Sequence, residues 1–219
     1  MRILALDATL ARCSAAVVVD QQPVATRQEE AARGHAALLP VMADAVLEAS
    51  GIRVSSLDLV AVTVGPGSFT GIRAGLALAH GIGRAGGIPV IAVTVGEALR
   101  DSLPHLGGRQ LWSVIDSKRG RVFIERENEI IAAPLDELPQ PSGRIAIAGD
   151  AAPVVAARLA ARDADVMLTD ARLPMARHIA VVAEQRFAGQ LPPRPALPLY
   201  VDPPEARLPA GGLRPAPQG

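Results

Sequence analysis

The chain has 219 residues, enough to bury a core as one large domain or two small lobes, and 49% of them are hydrophobic against 20% charged. Lysine plus arginine and aspartate plus glutamate number 22 each, so the formal net charge is zero, whereas a chain that grips RNA alone carries a basic excess. A single cysteine, Cys13, excludes an intramolecular disulfide and a cysteine zinc cage, and His35, His80, His105 and His178 have no metal-ligand spacing.

Met1 to Asp7 reaches an aspartate too soon for a signal-peptide core. No apolar stretch approaches the roughly 20 residues of a membrane helix. The expectation is a soluble, cytoplasmic protein that touches no membrane. Residues 3–7, 13–19 and 24–30 read as a meander of three strands, the first apolar on both faces and therefore central. From residue 35 to 50 the period becomes helical, with Leu39, Met42, Val46 and Ala49 on one face, Pro40 in the first turns and Gly51 as the stop. A buried strand at 60–64 runs into a glycine-rich turn. A helix to about residue 84, a strand at 89–95 and a short helix at 96–103 follow, an alternation that predicts parallel crossovers on one sheet. Residues 104–108 mark a lobe boundary. Beyond them come a hairpin at 111–116 and 121–126, a strand at 144–148, a helix at 152–161, a strand at 166–169 and a helix at 175–187. Prolines crowd the chain from residue 191 onward, which predicts an extended, weakly structured tail.

The turn reads Gly65-Pro66-Gly67-Ser68-Phe69-Thr70-Gly71. A strand ending in glycines and opening a helix can hold an anion on free backbone N–H groups. Its spacing fits neither the P-loop nor the dinucleotide fingerprint. The same glycines also suit a sharp connection capped by Ser68 or Thr70. In the helix, Gly71, Gly75, Ala79 and Gly83 recur every four residues as a bare ridge, although an interior glycine costs about 0.5–1 kcal/mol relative to alanine. Something must pack closely there: the chain's own fold, or a partner helix.

The run from Gly65 to Gly75 resembles the signature of the TsaB (YeaZ) family of tRNA threonylcarbamoyladenosine biosynthesis. Leu4-Ala5-Leu6-Asp7-Ala8-Thr9 resembles the family's opening strand, with Ala8 a departure. His35-Ala36-Ala37-Leu38-Leu39-Pro40 resembles its first helix, Ile115 to Phe123 its second-lobe hairpin, and Pro198-Leu199-Tyr200 its tail. The resemblance covers roughly Met1 to Tyr200. It implies an α/β chain of the two-lobed actin/Hsp70/sugar-kinase (ASKHA) type, each lobe a mixed sheet flanked by helices. The lobes would span 1–105 and 106–190, with the last helix packing back on the first lobe and 191–219 as tail.

The same resemblance implies a scaffold and activator without catalytic or metal-binding residues of its own. It would pair with a TsaD-type catalytic subunit, with a TsaE-type ATPase as third partner, tRNA reached through the complex, and a homodimer when alone. The expected seam joins the helices at 35–49 and 70–84 through His35, Leu39, Met42, Val46, Gly71, Ile72, Gly75, Leu76 and Ala79. A metal-dependent role is disfavoured, because His35 is followed four residues on by Leu39, and one imidazole does not make a catalytic metal centre. The alternative is an ASKHA-type ATPase acting alone. It would contact phosphate through Asp7, Thr9, Gly67, Ser68 and Arg73, but Asp116-Ser117-Lys118-Arg119 stands where its second lobe needs glycines. No cofactor is assigned to the chain itself; ATP or ADP belongs to the assembled complex.

Overall fold

In the computed structural model, which describes residues 1–31, 34–127 and 129–201, strand β1 (Arg2–Asp7) is buried at every position after Arg2. Its side chains serve two cores. Leu4 and Leu6 point to one face of a sheet, and Ile3 and Ala5 to the other, because successive residues of a strand alternate. Strand β1 pairs antiparallel with β2 (Arg12–Val19), which pairs antiparallel with the exposed edge strand β3 (Gln22–Glu30). On its other side β1 runs parallel to β4 (Leu59–Thr63), and β4 to β5 (Val90–Val93), giving the order β3-β2-β1-β4-β5. Helices α1 (His35–Ser50) and α2 (Phe69–Gly86) cover the Leu4 face.

The chain passes through α3 (Val95–Asp101) into a second sheet of the same plan. Strand β6 (Gln110–Asp116) is antiparallel to β7 (Arg121–Arg126), which pairs with β8 (Glu129–Pro134). On its other side β6 runs parallel to β9 (Ile145–Ala148), which carries β10 (Val166–Leu168), for the order β10-β9-β6-β7-β8. Helix α4 (Ala152–Ala160) packs on one face. Strand β8 does not stand out in the sequence, since its short apolar run becomes a strand only by pairing with β7. Helix α5 (Ala176–Phe187) packs on the first sheet, its Ile179, Ala180 and Ala183 against Ile3, Ala5 and Leu59. Residues 191–201 run back along α2, where Leu199 N donates to Val64 O at 2.9 Å. The remainder of the proline-rich stretch, 202–219, lies outside the described residues.

The two halves meet through an apolar joint of Leu10, Val95, Leu99, Leu111 and Ile115 and through one buried carboxylate. Glu125, on β7, is 7% exposed and accepts from the Gly96 N–H at 2.9 Å and from the Thr94 hydroxyl, both at the start of α3. Burial pushes its carboxyl up to about 7; Glu97 adds to the rise, while Thr94, Gly96 and Arg194 oppose it. The folded-state pKa thus lies above the ordinary 4.5, so folding takes up a proton. The stability from this site is complete below the ordinary value and lost as pH rises through 7. Glu125→Gln mimics the neutral acid. Thermal melting from pH 5 to 8 is expected to show the wild type losing several degrees relative to this variant, and parallel curves would show that Glu125 does not titrate there.

Candidate functional site

Between β4 and α2 the glycine-rich turn is tied to the first strand. Ser68 N donates to Thr9 O at 2.7 Å, and a Cβ on Gly67 would stand 2.3 Å from the same oxygen. Ser68 is the N-cap of α2, its hydroxyl accepting from Gly71 N at 3.2 Å. Two N–H groups that an anion would need are therefore used within the chain.

The residues expected to meet phosphate do not converge on an open cleft. Asp7 and Thr9 are fully buried, and Asp7 Oδ1 accepts from Thr9 N at 3.1 Å, Thr9 Oγ1 at 2.6 Å and the Thr63 hydroxyl. Burial drives the Asp7 carboxyl above its usual range, against the pull of the Thr63 and Thr9 bonds. Gly67 is packed on Thr9, and Ser68 caps the helix. Arg73 is exposed but turned to its neighbours: its guanidinium carbon lies 3.8 Å from the Phe69 ring centroid, and Nε donates to the Tyr200 hydroxyl at 2.7 Å. Through Oδ1 Asp7 ties β1 to β4, while its Oδ2 is buried without a hydrogen-bond partner among the described residues.

In the second half, the turn after β6 carries a largely exposed lysine paired with its own carboxylates. Lys118 Nζ lies 2.9 Å from Asp116 Oδ2 and 3.9 Å from Asp150 Oδ2, and Asp116 N donates to Asp150 Oδ1 at 2.9 Å. Burial raises the Asp116 carboxyl, but the bonds from Lys118 outweigh it and hold it below the usual range. A lysine lies between two carboxylates where a phosphate clamp needs space. Among the described residues no cluster of three or more His, Cys, Asp or Glu is placed to hold a metal.

The nine residues expected at a partner seam lie inside the chain's own fold. His35, Leu39, Met42 and Val46 of α1, with Ile72, Leu76 and Ala79 of α2, are at most 7% exposed, and Gly71 and Gly75 are buried with them. The glycines are needed here for internal contact. A Cβ on Gly71 would stand 1.8 Å from Ala8 O and 3.1 Å from His35 Nδ1, and one on Gly83 2.6 Å from Val90 Cγ2. The small ridge of α2 thus faces its own sheet and α1. His35 contributes a bond to Ala31 O at 2.7 Å.

Outward, α2 carries a second ridge of the same spacing: Phe69, Arg73, Ala77, Gly81 and Ala85 are all exposed. Leu78, Ile82, Gly86 and Val54 line an open groove of about 550 Å³ beside Ala77, Gly81 and Ala85. Val41 of the neighbouring α1 is 67% exposed. The sequence contains this ridge, but two rows of small residues on one helix look alike until packing separates them.

Residues 22–140 match the family model of TsaD, the tRNA N6-adenosine threonylcarbamoyltransferase. The TsaB protein of Escherichia coli, named for tRNA threonylcarbamoyladenosine biosynthesis, is 32% identical over 124 residues, 56% of this chain and 53% of that protein. An uncharacterized protein of Mycobacterium tuberculosis is 31% identical over 217 residues, covering 94% of this chain and 93% of its own length. The chain belongs to the TsaB (YeaZ) family. Its match spans about half the length of the TsaB relative from E. coli (53%). YeaZ from Pseudomonas aeruginosa superposes with a TM-score of 0.76 at 24% identity, over 91% of this chain and 99% of that one. Component A of the (R)-2-hydroxyglutaryl-CoA dehydratase of Acidaminococcus fermentans gives 0.51 at 10% identity, over 86% and 99%. These likenesses show the fold, two mixed sheets flanked by helices in the ASKHA manner, as the TsaB resemblance implies.

Proposed function

We propose that this chain is an accessory subunit in tRNA threonylcarbamoyladenosine biosynthesis, pairing with a TsaD-type subunit through the outward faces of α1 and α2. The observation that carries the reading is the exposed ridge of α2 with its groove, together with the exposed Val41 on the adjacent helix α1. An apolar, small-residue surface on two adjacent helices lets a partner helix approach closely and leave water. In this reading the partner does the chemistry, since Asp7 is buried in the core and Lys118 pairs with Asp116 at the turn after β6. ATP or ADP, a TsaE-type ATPase and tRNA are then met by the complex in the cytoplasm, and the seam serves a homodimer when the chain is alone. Among the described residues, no helix is long and apolar enough to cross a membrane.

The test is light scattering after size exclusion, mixing the chain with the TsaD-type subunit of the same cell. A one-to-one complex is expected. Gly81→Leu blocks the groove, and Val41→Glu puts a charge on the outward face of α1; each is expected to weaken pairing on the order of 100-fold. Both sites are exposed, and a Cβ at Gly81 meets nothing within 4 Å, so the melting temperature of the lone chain should stay within about 2 °C of wild type. A complex that survives both changes at full affinity sinks the proposal.

A further inference from the structure

Resting on that reading, we propose that Phe69, Arg73 and Tyr200 form the docking point for a carboxylate side chain on the partner helix that lies in the groove beside Ala77, Gly81 and Ala85. The chain has only five aromatic residues, yet two of them are spent together on the surface, Phe69 55% and Tyr200 47% exposed. Their ring centroids are 5.6 Å apart at an interplanar angle of 26°, and Arg73 lies against both, 3.8 Å from the Phe69 centroid and 5.8 Å from that of Tyr200. Burying these rings in the chain's own core would stabilise it more, so their exposure needs a partner surface to explain it.

The chemistry of the occupant follows from the arginine. Nε is engaged by the Tyr200 hydroxyl at 2.7 Å, and among the described residues Arg73 makes no ion pair. Its two terminal amino groups form the fork that suits a carboxylate bidentately. Because two rings already hold the guanidinium, little side-chain entropy remains to be lost on binding, and arginine and tyrosine in such settings dominate interface energetics. Position supports the same occupant. Phe69 and Arg73 begin the exposed ridge that continues as Ala77, Gly81 and Ala85, so platform and groove form one surface. From Phe69 to Ala85 it runs about 24 Å at the helical rise, the length of one partner helix. RNA is the less suitable occupant. One arginine neutralises about one phosphate, and a chain of zero net charge adds no field to help it.

Titration calorimetry of the full chain with the TsaD-type subunit, at low and high salt, tests this. Arg73→Glu is expected to weaken binding on the order of 100-fold and to flatten its salt dependence. Arg73→Lys, which keeps the charge but loses the fork and the stacking, should weaken it about tenfold, as should Phe69→Ala. Unchanged melting curves show that the variants fold. If Arg73→Glu binds within about twofold of wild type while Gly81→Leu does not bind, the seam stands and the carboxylate docking is wrong. If neither change matters, the seam itself is wrong. If Arg73→Glu spares the complex but lowers its affinity for tRNA, the platform faces RNA and the inference is overturned.

Discussion

Replacing Arg186 with alanine is expected to lower the melting temperature by about 6–20 °C. Arg186 on α5 is 7% exposed and holds four parts of the molecule at once. Its guanidinium bonds both carboxylate oxygens of Glu97 on α3, at 2.5 and 3.3 Å, the Ala92 carbonyl of β5 at 2.5 Å and the Pro192 carbonyl of the returning chain at 2.8 Å. Truncation leaves Glu97 with Arg194, at 3.4 Å, as its only basic partner among the described residues. Breaking a buried pair in this way costs about 3–5 kcal/mol, because the remaining charge is left poorly solvated. Burial raises the Glu97 carboxyl, but Arg186, Thr94 N–H and Arg194 overcome it and hold it below the usual carboxylate range. Its folded pKa lies under the unfolded one, so the stabilisation is present above the ordinary value and fades in acid. Melting curves of wild type and Arg186→Ala should therefore converge as pH falls through that depressed pKa. A difference that persists unchanged into strong acid would assign the loss to packing rather than to the ion pair.

Gly71→Ala is expected to cost about 3 kcal/mol, read as a melting temperature lower by about 6–12 °C. The added methyl would stand 1.8 Å from the Ala8 carbonyl oxygen, a backbone atom held by the first strand, and neither α2 nor β1 can yield without losing the packing between them. The neighbouring glycine of the same ridge supplies the control. At Gly75 a Cβ finds Val62 Cγ2 at 3.5 Å and Leu39 Cδ2 at 3.9 Å, ordinary contact distances. Gly75→Ala should then be neutral or stabilise by up to about 1 kcal/mol through helix propensity, while the larger Gly75→Leu should unfold the chain. Equal tolerance of alanine at both positions would mean that α2 is free to shift on the sheet.

Much of the architecture is legible in the residues. The unbroken apolar run of β1 required a central strand covered on both faces. The change of period at His35 and the stop at Gly51 bounded α1 correctly. The sequence around Gly65 to Gly75 contained the strand, the cap at Ser68 and the helix, and also the resemblance that led to the family. What could not be read was direction. Gly71, Gly75, Ala79 and Gly83 form one row of small residues, and Ala77, Gly81 and Ala85 another. Helical spacing describes both equally, so only the position of the sheet decides which is interior. Asp7 presented the same difficulty: a carboxylate ending a strand suits a cleft or a core equally well until Thr9 and Thr63 are found bonded to it.

Local pattern therefore determined the strands, the helices and the kind of fold, because period and capping act within a few residues along the chain. The tertiary structure alone decided which ridge of α2 is surface, that Arg186 meets Glu97 across 89 residues of sequence, and that Glu125 joins the two halves at Gly96. It also brought Tyr200 to Phe69 and Arg73, since contacts between distant segments depend on how the sheets stack and leave no periodic trace in the sequence.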